Sequence, residues 1–215
     1  MKIYNIYPEP HSDNQENLNT VYPLVYINEQ SLGFNRYDID KGKENIKWHE
    51  NITATYKYVE AHGIDDFVFN ILMWFIITEK FMKLLIDMEI KGIEFKPINV
   101  KCIDKDNMDI TAYVVNVLNV LDVEAIDLEN SKYFYYDLSD EEKVLSVQQY
   151  CLKPSVIQES DIFRIQVSEY YTSPVFITER VKKAIEINNI TGCCFKEIII
   201  NDKNDIKNLH KNKTD

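Results

Sequence analysis

An internal repeat constrains the fold of this chain more than any other feature of its sequence. Residues 75–98, FIITEKFMKLLIDMEIKGIEFKPI, and residues 175–198, VFITERVKKAIEINNITGCCFKEI, align without a gap at an offset of 100 positions. Nine of the 24 aligned positions are identical. They include a Thr-Glu pair, a glycine and a Phe-Lys pair, so chance likeness between two amphipathic helices is the weaker explanation. The sequence therefore predicts a duplicated module, with a period too long for a solenoid.

Each copy has the pattern of a strand followed by a short helix. Thr78 and Thr178 are good N-caps, because a threonine hydroxyl can accept a hydrogen bond from a free amide of the first helical turn. A glutamate follows each threonine, where a carboxylate favours the positive end of the helix. The apolar residues then recur at helical spacing and predict one buried stripe on each helix: Phe81, Leu84, Leu85 and Met88 in the first copy, Val181, Ala184 and Ile185 in the second.

A glycine and a second strand complete each copy. Gly92 and Gly192 stand just past the helical patterns, and we expect them to end the helices in the left-handed conformation. The apolar runs 93–100 and 193–200 are predicted strands. The fold class is therefore α+β, with mixed or antiparallel sheets flanked by short helices and two related strand–helix–strand units at about 65–100 and 161–200.

The length of 215 residues fits one large domain or two small ones. Residues 110–121, ITAYVVNVLNVL, are β-branched and apolar, which predicts a buried strand or the opening of a helix. Because this segment would continue the core between the copies, we expect a single domain over residues 1–200 that contains the duplication. Residues 201–215 are polar and are predicted to form a C-terminal tail.

The charge of the chain narrows the range of its partners. The formal net charge is −11, which repels nucleic acid phosphates and anionic lipid and attracts a basic protein. A negative surface can also serve solubility alone. The longest apolar run, 67–77, is shorter than the roughly 20 residues that a membrane helix needs, and no signal peptide is visible. We expect a cytoplasmic protein that binds neither nucleic acid nor membrane.

The sequence predicts no catalytic residue, no metal site and no cofactor. The five glycines are too scattered for a phosphate-binding loop. The histidines and cysteines are not at metal-ligand spacing, although a Cys–His pair that meets only in space stays open: they are His11, His49, His62, His210, Cys102, Cys151, Cys193 and Cys194.

An aromatic run with acidic residues around it, KYFYYDLSDEE at 132–142, is the candidate binding surface. Alternate rings of 133–136 could fill the core from one face of a strand, while the others face outward. Exposed tyrosines beside carboxylates favour protein contact, since they supply aromatic area at little cost in side-chain freedom. The predicted partner-binding residues are Tyr135, Asp137, Asp140, Glu141 and Glu142.

Several short motifs resemble a known family. The runs DIFRIQV at 161–167 and PVFITERVKKAIEINNITGCCF at 174–195 are similar to the closing module of immunity family eleven of bacterial polymorphic toxin systems. The matching residues are Phe163, Arg164, Thr178, Glu179, Gly192 and Phe195 in this module, and Asn116, Val117, Asp122, Asp127 and Ser131 in the middle segment. The resemblance covers roughly residues 65–200, including the first copy, and leaves the first 60 residues unmatched.

The resemblance implies a cytoplasmic immunity protein that binds a toxin encoded beside it and neutralises that toxin by occlusion. It brings no catalytic residues with it. A small-molecule-binding or regulatory module, with a pocket between the copies, is the second hypothesis. A hydrolase that uses clustered carboxylates and histidines is the third. The oligomeric state is open.

Overall fold

The computed structural model describes residues 2–8, 24–49, 52–59, 63–137, 143–154, 160–169 and 171–201, with Asp137 and Lys143 described by their backbone. Its strands, in chain order, are β1 (Ile3–Pro8), β2 (Tyr26–Ile27), β3 (Thr53–Tyr56), β4 (Phe67–Val68), β5 (Ile76–Thr78), β6 (Ile93–Cys102), β7 (Ile110–Val117), β8 (Val120–Leu121), β9 (Lys132–Asp137), β10 (Lys143–Gln149), β11 (Cys151–Leu152), β12 (Ile162–Ile165), β13 (Val175–Thr178) and β14 (Cys193–Ile200). Its α-helices are α1 (Tyr37–Asp40), α2 (Glu79–Asp87) and α3 (Glu179–Ile187), and two 3₁₀ turns cover Glu29–Ser31 and Val123–Ala125.

These strands form two six-stranded sheets and one separate hairpin. The first sheet has the order β2-β3-β6-β7-β5-β4, and the second has the order β11-β14-β1-β13-β12-β8. The hairpin consists of β9 and β10. Both large sheets mix parallel with antiparallel pairs, which confirms the α+β class. None of the described helices is long and apolar enough to cross a membrane.

The two predicted strand–helix–strand units are present at the expected places. The first unit is β5-α2-β6 and the second is β13-α3-β14, with both helices nine residues long. The predicted apolar stripes are confirmed at two positions of each helix, because one shared core buries Phe81 and Leu85 of α2 and Val181 and Ile185 of α3. The other predicted members are only partly buried: Leu84, Met88 and Ala184. That core lies between the two sheets and joins the units.

The helix starts differ from the prediction in one respect. Thr78 and Thr178 occupy the N-cap positions, but neither side chain caps its helix. The hydroxyl of Thr78 instead donates to the Asp66 carboxylate at 2.6 Å, and that of Thr178 donates to the Asp161 carboxylate at 2.7 Å. The hydrogen bond from a threonine hydroxyl to a charged carboxylate is stronger than the bond from a backbone amide to a threonine oxygen. Each hydroxyl therefore acts as a donor to aspartate.

The helix ends also differ from the prediction. Gly92 and Gly192 do adopt positive φ, at 72° and 75°. However, the helices end earlier, and Glu89 and Asn189 already take the left-handed conformation there, at 54° and 49°. The glycines therefore shape the turn into β6 and β14, where a Cβ on Gly92 would lie 2.2 Å from the Asn119 side chain.

Residues 110–121 form strands and not a helix, and β7 completes the first unit. Ala112 of β7 pairs with Thr78 of β5 and with Ile98 of β6. In the second sheet β1 takes the equivalent place, because Ile3 pairs with Thr178 and with Ile198. The middle strand thus follows the first unit along the chain, whereas the middle strand of the second unit comes from the amino-terminal end.

Two outer cores mirror each other across the shared one. Alternate residues of a strand point to opposite faces, so Ile77 and Ile177 enter the shared core while Ile76 and Phe176 enter the outer cores. The outer core of the first sheet also holds Trp74. Both sheets are therefore buried on two faces in this region.

Candidate functional site

The hairpin carries the predicted binding surface on its first strand. β9 and β10 pair antiparallel, with Tyr136 opposite Val144 and Tyr135 opposite Leu145. Val144 and Leu145 of β10 are buried. The ring of Tyr135 contacts that of Tyr133, with centroids 5.7 Å apart. β10 thus faces the body of the protein and β9 presents the aromatic residues.

The expectation that alternate rings of this run fill the core is wrong for β9. Tyr133, Phe134 and Tyr135 are all exposed, and Tyr135 shows 54% of its surface. Because Phe134 and Tyr135 point to opposite faces, exposure of both means that neither face of β9 is covered there. Asp137 closes the strand, while the candidate residues Asp140, Glu141 and Glu142 lie outside the described residues.

A reciprocal pair of polar clusters joins the two units. Lys80 of α2 reaches Asp66 at 2.8 Å and the carbonyl of Asn189, past the end of α3, at 2.6 Å. Arg180 of α3 binds Asp161 and donates to the carbonyl of Met88, at the end of α2. Each helix therefore sends a basic side chain to the negative end of the other helix, where a cation is favoured.

These clusters shift the pKa of both carboxyl groups. Burial alone would raise the pKa of Asp66, but hydrogen bonds from Lys80, Thr78 and the Thr191 amide outweigh it and hold the pKa below its usual range. Hydrogen bonds from Arg180 lower the pKa of Asp161, partly offset by burial. Both groups are charged at neutral pH and act as structural acceptors.

A cleft of about 330 Å³ lies between the two units. The end of β1, helix α1, the β4–β5 loop and the β12–β13 loop supply its walls, which are mostly apolar and aromatic. The second hypothesis predicts a pocket in this position. We refer to this space as the cleft.

A buried ion pair provides the polar part of the cleft. Nη1 of Arg164 lies 3.3 Å from Oδ1 of Asp40 and also donates to Thr172 and to the carbonyl of Ser173. Burial raises the pKa of Asp40, while Arg164 lowers it in part. The Arg164 side chain is 7% exposed and that of Asp40 is 23% exposed. Asp40 is thus the member of the pair that a bound group can reach.

The rim of the cleft includes Met73, whose side chain is 64% exposed. The turn that carries it is fixed by Asn70, whose buried amide donates to the carbonyls of Val68 and Trp74 and accepts from the Trp74 amide. On the opposite loop, Tyr171 lines the cleft and is also exposed.

No metal centre emerges from the residues described. That part of the chain holds no group of three or more His, Cys, Asp or Glu side chains that could bind a metal ion. Burial, followed by the nearby Asp127, raises the pKa of the Cys151 thiol to about 11, so it is protonated at neutral pH. His49 is the one histidine within the described ranges, and His11, His62 and His210 lie outside them.

A model of the immunity protein family Imm11 matches residues 3–199. The chain belongs to this family. The resemblance seen in residues 65–200 is thus extended back to residue 3 and includes β1. Among curated proteins, no match to this Imm11 chain is found.

Two of the family-like residues of this Imm11 protein make partly buried structural hydrogen bonds. Asn116 is fully buried and donates to the carbonyl of Lys43 and to Glu94. The Ser131 hydroxyl donates to the carbonyl of Asp127 and accepts from the Cys151 amide. These contacts give Asn116 and Ser131 a structural role.

Sequence reasoning missed the residues that build the cleft. Asp40 and Met73 come from two distant segments, and neither of them stands in a distinctive local pattern. Arg164 is the exception, because the family-like Phe-Arg pair singled it out. An arginine inside an apolar strand signals a buried charge that needs a partner.

Proposed function

We propose that this Imm11 protein binds the toxin encoded beside its gene and neutralises that toxin by covering its working surface, without catalysis of its own. Membership of an immunity protein family is the observation that carries this proposal. The net charge of −11 favours a basic partner, such as a toxin that itself acts on a polyanion. Action inside the cytoplasm of the producing cell is part of the proposal.

We place the contact on the hairpin, at Tyr135, Asp137, Asp140, Glu141 and Glu142. The exposed rings of β9 support this choice, because interfaces are enriched in tyrosine and phenylalanine and large exposed apolar patches mark binding sites. The acidic residues that follow β9 in the sequence would steer a basic toxin toward these rings.

The test is a co-expression and binding experiment with the C-terminal domain of the neighbouring toxin. The wild type is expected to protect cells and to form a one-to-one complex of nanomolar or tighter affinity. A hairpin variant with Asp137, Asp140, Glu141 and Glu142 changed to lysine should associate at least about tenfold more slowly at low salt. The control variant makes the same change in net charge at four exposed acids outside the hairpin, Glu44, Asp87, Asp106 and Glu124.

Two results would count against the proposal in different ways. Failure of the wild type to protect or to bind would remove the immunity function. Equal association rates of the hairpin and control variants would remove the hairpin from the interface and leave a role for the overall charge.

The second candidate function is a small-molecule-binding or regulatory module. The cleft between the units favours it, since ligand sites are mostly apolar spaces of about 300–1,000 Å³ with a few polar groups. A compound that binds at micromolar concentration and raises the melting temperature, in a protein that does not bind the toxin, would support this function instead.

A further inference from the structure

Met73 is held in a strained conformation although most of the residue is exposed to solvent. Its φ is 56°, where a side chain with a Cβ costs about 1–3 kcal/mol. Glu89 and Asn189 share this conformation at helix ends, and Asn45 and Asn107 are of the residue type that tolerates it best. Neither explanation applies to Met73, and most of its side chain is exposed to solvent. A strained residue that displays an apolar side chain beside a cleft points to binding.

The cleft is continuous with the exposed aromatic surface of the hairpin. The ring of Tyr171, on the rim of the cleft, lies 6.4 Å from that of Tyr136, and Tyr136 lies 6.3 Å from Phe134 on the same face of β9. An apolar surface that runs from a cleft over a projecting strand exceeds what a small molecule covers. It matches the aromatic centre of a protein interface.

The ion pair in the cleft selects the chemistry of an occupant. A cationic side chain near Asp40 would meet Arg164, which already neutralises that carboxylate at 3.3 Å. An anion would meet Asp40 first, because Arg164 is almost fully buried. A purely apolar group would cover the open part of Asp40 without giving it a hydrogen bond, which is costly. A neutral group with a hydrogen-bond donor avoids all three of these costs.

The walls define the body of the same occupant. Rings of Tyr37, Phe75 and Tyr171 line a space whose volume is at the small end of ligand sites. Such a space suits one aromatic ring, which can stack on or meet the edges of these rings.

We infer that the cleft is an anchor pocket for the toxin, and that it takes one tyrosine or tryptophan side chain from the toxin surface, with the donor group on Asp40 and Met73 folded against the ring. This inference rests on the proposed immunity function and deepens it. Tyrosine and tryptophan are also the residues that most often dominate binding energy at interfaces.

The first experiment tests the pocket without the toxin. Full-length protein with ¹³C-methyl methionine is titrated with N-acetyl-tyrosinamide, N-acetyl-phenylalaninamide and N-acetyl-argininamide. The tyrosine amide should shift the Met73 methyl signal saturably at millimolar concentration and leave Met82, Met88 and Met108 in place. The phenylalanine amide should bind about fivefold more weakly, because it lacks the donor. The inference would be overturned if the Met73 signal did not move, or if the phenylalanine and arginine amides bound as tightly as the tyrosine amide.

The second experiment uses the complex with the toxin domain. Met73→Gly removes the side chain, and glycine relaxes at positive φ, so the melting temperature should change by no more than about 3 °C. The dissociation constant should rise at least about tenfold. Met108→Ala, at an exposed methionine outside the cleft, is the matched control and should bind as the wild type does.

The outcomes separate the two levels of the argument. If the wild type fails to bind the toxin, the proposed function falls and the anchor pocket falls with it. If the wild type binds and Met73→Gly binds equally well, the pocket is wrong and the function stands. If the amides bind but Met73→Gly leaves toxin affinity unchanged, the cleft is a small-molecule site and the inference is overturned.

Discussion

The carboxylate of Asp66 is expected to contribute more to stability than its counterpart Asp161. It accepts hydrogen bonds from the Thr78 hydroxyl at 2.6 Å, from Lys80 at 2.8 Å and from the Thr191 amide at 3.1 Å. The Thr191 amide belongs to the second unit, so this side chain fastens one unit to the other. The Asp161 carboxylate takes Thr178 and Arg180, both from its own unit.

The magnitude of the loss in Asp66→Ala follows from these contacts. The Lys80 side chain is half exposed, so its ion pair contributes at most about 1 kcal/mol. The other two donors lose a charged acceptor in a partly buried place, and each such bond contributes about 1.5–3 kcal/mol. Since bonds to one group do not add fully, we expect a loss of about 3 kcal/mol in the free energy of unfolding. This corresponds to a melting temperature lower by about 6–12 °C for a chain of this size.

Asp161→Ala is the matched control. Its carboxylate is more exposed and binds the half-exposed Arg180, so the expected loss is about 1.5 kcal/mol. Urea unfolding followed by tryptophan fluorescence and by circular dichroism measures both variants. Both tryptophans, Trp48 and Trp74, pack at the outer core of the first sheet, so agreement of the two probes also tests whether the units unfold together. A loss below about 1 kcal/mol in Asp66→Ala, or equal losses in the two variants, would refute this reasoning.

Two further predictions concern the helices and the pH. Leu85→Ala and Ile185→Ala each remove an equivalent buried side chain from the shared core and should each cost about 2–5 kcal/mol in urea unfolding, whereas Ile86→Ala, with Ile86 52% exposed, should change stability by less than about 1 kcal/mol. A cost for Ile86→Ala as large as that for Leu85→Ala would mean that the helix faces are assigned wrongly. Because the folded pKa values of Asp66 and Asp161 are lowered from 3.8, their stabilisation is complete above that value and is lost as the pH falls through the folded values. The urea concentration at the midpoint of unfolding should therefore decrease as the pH is lowered below about 4, and this decrease should be less steep in Asp66→Asn. A midpoint that does not change down to pH 2 would contradict this.

The sequence predicted the parts of each unit that are contiguous in the chain. The strand–helix–strand order and the apolar stripes of α2 and α3 follow from residues a few positions apart. It did not predict Asp66 and Asp161 as equivalents, because Asp66 precedes its threonine by 12 positions and Asp161 by 17. A gapless alignment fails across that difference in loop length. The position of each threonine before a helix predicts a cap, whereas its hydroxyl donates to a carboxylate that stands just before the preceding strand.

The equivalence of the middle strands β7 and β1 could not be predicted by aligning the two halves of the sequence, for another reason. β7 follows its unit and β1 precedes its own by most of the chain, so no single offset aligns them. The cleft was hidden in the same way, since its walls come from α1, β1 and two loops. We propose that residues 1–200 form one domain with an internal duplication. The core shared by α2 and α3 supports the single domain, and the aligned segments 75–98 and 175–198 support the duplication.

The position of β1 has a consequence for how the chain folds during synthesis. Of the described strands β1 leaves the ribosome first, yet its neighbours β13 and β14 leave it last. The first sheet is complete once Val117 has emerged, well before the second sheet can close. Tyr4 and Ile6 of β1 pack in the same core as Phe75 and Phe81. The first sheet can thus cover the side chains of Tyr4 and Ile6 before the second sheet forms. This contact would protect β1 from aggregation until β13 and β14 have been synthesised.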